Sequence, residues 1–296
     1  MATPIESSLA PASSRTPGGH LIRLGVLGGL LLAAFWPILL SMYGSWFDER
    51  AYMEHGILVI PAVAYMIWSK RDTLRAIPPE PSAWGVALLA WGALQALLGT
   101  ATHWVWVSRT AFVVSVFGLV AITLGFRMIR ELIYPLCMLF LMIAPPTFIF
   151  ERATLSLQLL SSRLAETSLE ALGFSVLREG NVLDMVGIQL SVEEACSGIR
   201  SLMAILFMCS LYNYFFVEVR WMRWLILLMA VPIAILGNAG RIVATGIAGQ
   251  YNRALVGGIA HESFGYVSVS LAALGCIALH ILMVYSQKVR RARHGQ

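Results

Sequence analysis

The run WLILLMAVPIAILGNAGRIVATGIA, residues 224–248, contains a single charged side chain, Arg241. At 1.5 Å per helical residue it is long enough to cross about 30 Å of hydrocarbon. A soluble core helix has no use for so long an apolar stretch. The same pattern recurs along the chain, which is 58% hydrophobic and only 12% charged, with a mean hydropathy of +0.75. That composition lies far outside the soluble globular range. It predicts an all-α polytopic membrane protein.

About eight transmembrane helices are expected, at roughly 21–43, 55–69, 83–100, 109–126, 131–150, 196–217, 224–248 and 263–286. The stretch from Leu21 to about Tyr43 exceeds a signal-peptide core, and no small-residue cleavage site follows it. Residues 1–20, rich in Pro, Ser, Ala and Gly, are expected to be a disordered cytoplasmic N-terminus. Residues 21–287 form the integral-membrane domain, and 288–296 a basic cytoplasmic tail. With both termini inside, the cytoplasmic segments hold Arg15, Arg23, Lys70, Arg71, Arg75, Arg127, Arg130, Arg220, Arg223, Lys288, Arg290, Arg291 and Arg293. These are thirteen of the 21 Lys and Arg residues. The positive-inside bias favours that orientation. The net charge of +5 is read as this loop bias, with no nucleic-acid partner implied, because the cations are dispersed.

The longest external segment runs from about Glu151 to Ala195. Its first half places Leu155, Leu159, Leu164 and Leu169 among Ser, Gln, Arg and Glu, as in an amphipathic helix lying on the membrane surface, with Gly173 as its stop. Alternation at Ile188, Leu190 and Val192 then suggests a small hairpin. Ser191, three residues before Glu194, matches a capping box that opens the sixth span.

That cap would put Cys196 near the positive end of a helix dipole, with Arg200 one turn on, and both effects favour the thiolate. Cys137, Cys209 and Cys276 lie inside apolar spans, where a thiol is a small buried hydrophobe. Taken alone, Cys196 is open to that packing role too. The four cysteines lack the spacing of a disulfide scaffold or a zinc site, and no metal or cofactor is expected. Arg241, with Asn238 one turn earlier, is an ionisable group inside a span and therefore a functional hypothesis. Its alternatives are snorkelling or pairing with Glu193 or Glu194. Gly237 and Gly240 would permit close helix approach. His261, in AHESFGY, precedes the eighth span, with His55 and His103 as external competitors. Topology favours His261, because Cys196, Arg241 and His261 share the external ends of three consecutive spans. Nucleophile, cation and base are the parts of cysteine-based acyl transfer.

EEACSGIRSL (193–202), VPIAILGNAGRIVATG (231–246) and HESFGY (261–266), in that order, resemble the exosortase/archaeosortase family, specifically its bacterial exosortase branch. YMEHGILVIPAVAYMIW, LMIAPPTFIFERATLSLQLL and LREGNVL extend the resemblance from about Trp46 to the last span. It implies a cysteine nucleophile at Cys196, completed by Arg241 and His261. It also implies exported substrates carrying a C-terminal signal: a short motif such as Pro-Glu-Pro, a membrane helix and a basic cluster. Cleavage at the motif would pass the new C-terminus to an acceptor. Arg200 is then a candidate for binding the motif's acidic residue or supporting the thiolate. It is equally a candidate structural partner of Glu193 or Glu194. The expected partners are the signal helix, membrane lipid and an acceptor nucleophile.

Other classes compete. A permease would use Arg241 to line a path and would spread polar residues through several spans. A scaffold for envelope-polymer assembly would need no nucleophile, and a membrane acyltransferase would use a different one.

Overall fold

The computed structural model of the chain describes residues 17–48, 53–192, 199–256 and 258–293. Its helices are α1 (Pro17–Ala34), α2 (Trp36–Trp46), α3 (Gly56–Ser69), α4 (Arg71–Ala76), α5 (Trp84–Ala101), α6 (Val105–Thr123) and α7 (Phe126–Met138). After a 3-10 turn (Leu139–Met142) come α8 (Thr147–Ala171), strands β1 (Val176–Glu179), β2 (Val182–Met185) and β3 (Ile188–Ser191), and α9 (Ile199–Phe216). The chain ends in α10 (Arg220–Tyr251), a second 3-10 turn (Arg253–Val256) and α11 (Gly258–Arg293).

Among the described residues four helices are long and apolar enough to cross a membrane: α5, α6, α10 and α11. If each of two bent pairs is one broken span, α1 with α2 at 70° and the α7 segment with α8 at 79°, the number is up to six. The eight expected spans are therefore not all met. The 14-residue α3 is too short on its own, and α9 begins directly after residues that are not described. Proline accounts for both bends. Pro37 stands in the first turn of α2, and Pro145–Pro146 lead into α8, where the missing N–H groups interrupt the helical ladder.

Small residues set the closest contacts. On α5, Gly85, Gly92 and Gly99 recur every seven residues, and a Cβ on each would strike Ile122, Ser115 and Ser108 of α6 respectively. The other face of α5, with Trp91 and Leu97, is exposed, as suits lipid contact. One core joins α1, α2, α3, α6 and the first 3-10 turn. Another joins α9, α10 and α11 around Ile205, Cys209, Ile226 and Cys276.

The bundle has two chemically distinct ends. At one, Lys70 pairs with Glu131 at 3.4 Å and Arg127 with Glu80 at 2.9 Å. At the same end Tyr214 donates to Met66 O, and Arg223 Nε donates to Val217 O. These are the cations assigned to the cytoplasm from charge bias. At the other end lie the sheet and the start of α9.

The segment before α9 differs from expectation in three ways. First, α8 buries Thr154, Gln158, Ser161, Ser162, Ala165 and Leu169 and exposes Leu155, Leu159 and Leu160. Its buried face, Leu169 included, packs on α10, which the expectation of a surface helix did not foresee. Second, the hairpin is a three-stranded antiparallel meander, β1-β2-β3, pairing Glu179 with Val182 and Met185 with Ile188. Third, Ser191 is the last residue of β3, opposite Val182. Its proposed capping partner Glu194 lies outside the described residues. The stop at Gly173 is met. Gly173 has φ +89°, its N–H bonds Glu170 O, and Phe174 N–H bonds Leu169 O. This is a Schellman termination, a conformation that favours glycine. Phe174 then packs with Leu169, Leu183 and Ile242, fixing the sheet against α10.

Candidate active site

α10 and α11 run antiparallel. Ser268 Oγ donates to Gly237 O at 2.7 Å, and a Cβ on Gly275 would stand 3.5 Å from Ile233. Between these levels and the 3-10 turn lies Arg241. Its guanidinium rests against the backbone of Gly265: a Cβ there would be 3.3 Å from Cζ and 3.4 Å from both Nη atoms. Gly265 thus provides the flat bed on which the planar cation lies. His261 stands four residues earlier in the opening turn of α11, so position 261 lies one turn from Gly265 on the same face. The fold brings Arg241 and the His261 turn to one place. Of His261 only the helical position is described.

Cys196, with Glu193 and Glu194, lies outside the described residues. The chain is fixed on both sides of it. Asn181, in the β1–β2 turn, donates from Nδ2 to Val192 O at 2.9 Å and accepts from Val192 N–H at 2.9 Å. This pair of hydrogen bonds, one from the Asn181 side chain and one to its main-chain carbonyl, clamps the residue four positions before Cys196. Nothing in the sequence marked Asn181 beyond its place in LREGNVL, beside the turn glycine Gly180. The sheet is held to α10 by Gln250 Nε2 donating to Val186 O, and by Leu190 and Met185 packed on Gly246.

On the far side, Arg200 in the first turn of α9 pairs with Glu54 through Nη2–Oε1 at 3.2 Å. Glu54 was not among the partners expected from sequence. Its neighbour His55 is buried, with Nε2 3.1 Å from Leu141 O and its ring against Phe207. Trp46 Nε1 donates to Met142 O beside it. His55 therefore ties α3 to the end of α7 and packs its ring on α9. His103 has φ +54° in the turn between α5 and α6.

Asn238 is buried one turn below Arg241 on α10. Gly237 supports close approach to α11 as expected, but Gly240 does not, having no neighbour within 4 Å of a Cβ. Cys209 and Cys276 are free and buried in the α9–α10–α11 core, while Cys137 is free and exposed on α7. A feature the sequence reading missed is the polar face of α8. Thr154, Gln158, Ser161 and Ser162 are buried, and α10, the helix α8 mainly packs on, buries Asn238 and Thr245.

Chemically, a planar cation beside the first turns of a helix can stabilise a developing oxyanion. Comparison with curated proteins and with solved structures gave no match. A family model described as Transmembrane exosortase (Exosortase_EpsH) matches residues 46–278, which include both bundle ends, Arg241 and the His261 turn. The chain therefore belongs to the transmembrane exosortase family, a family of membrane-embedded sorting enzymes.

Proposed function

We propose that the protein is a membrane-embedded cysteine peptidase and transpeptidase that removes the C-terminal sorting signal of exported proteins. The observation that carries this reading is the seat of Arg241 on Gly265, one turn from His261, at the bundle end where β3 leads toward Cys196. The Cys196 thiolate attacks the scissile carbonyl, and the oxyanion that forms is held by the guanidinium of Arg241. Collapse breaks the C–N bond, His261 protonates the leaving amine, and a thioester on Cys196 remains. An acceptor nucleophile, deprotonated by His261, attacks the thioester, releases the substrate with its new C-terminus and restores the thiolate.

Arg200 and Asn238 are assigned to substrate binding. The Arg200–Glu54 pair is partly exposed, at 39% and 47% of the side chains. Such pairs are weak, on the order of 0–1 kcal/mol. An acidic residue of the sorting motif can therefore replace Glu54. The signal's apolar helix docks laterally among the spans and its basic cluster stays at the end rich in Lys and Arg. That end faces the cytoplasm, and the active site faces the exterior of the bacterial inner membrane.

The test is co-expression with an exported protein ending in Pro-Glu-Pro, an apolar helix and an arginine cluster, followed by mass analysis of its C-terminus. Loss of a defined C-terminal fragment with the wild type, and its retention with Cys196→Ala, is the expected result. Processing that survives Cys196→Ala would rule out the thioester.

A further inference from the structure

Helical hydroxyls in this protein usually bond back to their own helix. On α8, Ser162 donates to Gln158 O, Thr167 to Arg163 O and Ser168 to Leu164 O, as Thr123 does to Leu119 O on α6. That is the ordinary way to satisfy such a group in an apolar setting. Thr154, Ser161 and Thr245 do not follow it. All three are more than nine-tenths buried, and their hydroxyl oxygens are inaccessible and have no hydrogen-bond partner among the described residues. Burying a hydroxyl unpaired is unfavourable. The buried face carries Ala165 and Leu169 at its sheet end, where it packs with Ile242, and hydroxyls along the rest of its length.

We propose that the seam between α8 and α10 is the substrate groove, in which the hydroxyls of Thr154, Ser161 and Thr245 bond the main chain of an extended peptide segment beside Arg241. The proposal rests on the peptidase reading above and identifies where that enzyme holds its substrate. A peptide bond presented for attack must be extended, so its carbonyls and N–H groups have no partners within the segment. At membrane depth, water cannot supply them. Hydroxyls both donate and accept, so they match either group. Thr154 and Ser161 are two helical turns apart, about 10 Å, which is the length of roughly three residues of extended chain. Thr245 stands one turn beyond Arg241 on α10, nearer the sheet. The seam is closed in this structure, so entry of the segment parts α8 from α10, and the Pro145–Pro146 break before α8 supplies the bend.

The test uses Thr154→Val, Ser161→Ala and Thr245→Val in the full-length protein, singly and together, with the Pro-Glu-Pro fusion as substrate. Processing kinetics, thermal stability and the rate of Cys196 alkylation by iodoacetamide are measured. KM is expected to rise at least ~10-fold in the triple variant, as lost hydrogen bonds to substrate require. The kcat and the alkylation rate should change by less than about twofold, and thermal stability should hold or increase because the orphan hydroxyls are gone. An unchanged KM with higher stability overturns the groove, as does a fall in kcat at constant KM. A photo-crosslinking residue at Leu157, in Cys196→Ala protein, separates the two ideas. Cross-linking to the fusion's motif supports the groove even if Cys196→Ala still processes substrate, which would refute only the cysteine. Processing by Cys196 without cross-linking from position 157 refutes only the groove.

Discussion

At the residue scale Arg241 is the most sharply placed group in the site. Its guanidinium lies flat on Gly265, so both Nη groups are presented beside the first turns of α11. A lysine carries the same charge but cannot present that planar fork. Arg241→Lys is therefore expected to insert and bind substrate yet process it ~100-fold more slowly or worse, the typical loss for one oxyanion donor. Processing kinetics against a fixed fusion substrate measure this, and near-wild-type rates would leave Arg200 as the likelier cation. Histidines separate on the same logic. His261→Ala should remove most of the rate, whereas His55→Ala should act on stability. It leaves Leu141 O without its buried partner, a loss of about 1–3 kcal/mol readable by thermal unfolding. Cysteines separate likewise: Cys196→Ala abolishes processing, while Cys209→Ala and Cys276→Ala, in the apolar core, retain it. Equal loss in all three would indicate a packing role for Cys196.

At the element scale two contacts position the site without entering the chemistry. Gly265 is one. Alanine there would meet the guanidinium at 3.3–3.4 Å and require a shift of a few tenths of an ångström, whereas leucine would lift Arg241 from its seat. Gly265→Leu should fall toward the rate of Arg241→Lys, and Gly265→Ala should lie between it and the wild type, with expression and insertion as controls. Asn181 is the other. Its side-chain amide bond to Val192 O, added to the main-chain bond between the two residues, fixes the exit of β3. Asn181→Leu should lower kcat and leave the melting behaviour of the helical bundle nearly unchanged, because the sheet is peripheral to the large cores. A loss of both together would make Asn181 a folding residue. Neither contact was legible beforehand. HESFGY offers a glycine with no hint of what lies on it, and LREGNVL suggests a turn but not that its asparagine reaches across to β3. α8 was misread for a related reason. Of the leucines read as one stripe, Leu155 and Leu159 are exposed, whereas Leu169 lies on the packed side with the serines and the glutamine.

At the scale of the whole molecule, the charge distribution is what the proposed orientation in the membrane rests on. The Lys70–Glu131 and Arg127–Glu80 pairs gather at one end, and Arg200, the sheet and the opening of α11 at the other. A membrane-impermeant maleimide should label Cys196 from outside, while a cysteine introduced at Arg290 in a protein lacking Cys196 should react only after permeabilisation. Labelling of the tail from outside would invert the orientation and place the site in the cytoplasm. Sequence by itself determined that the chain is a helical membrane protein, because apolar runs of about 20 residues are required wherever hydrocarbon is the solvent. It also determined the helix stop at Gly173, which follows from one residue's backbone freedom, and it led to the expectation that Cys196, Arg241 and His261 share one end. Tertiary structure alone decided which face of α8 is packed, that Arg200 meets Glu54, and that Arg241 rests on Gly265. In water hydrophobicity points inward and a sequence shows its core. In a bilayer lipid accepts the leucines as readily as a core does, so in and out are set by which helix lies alongside.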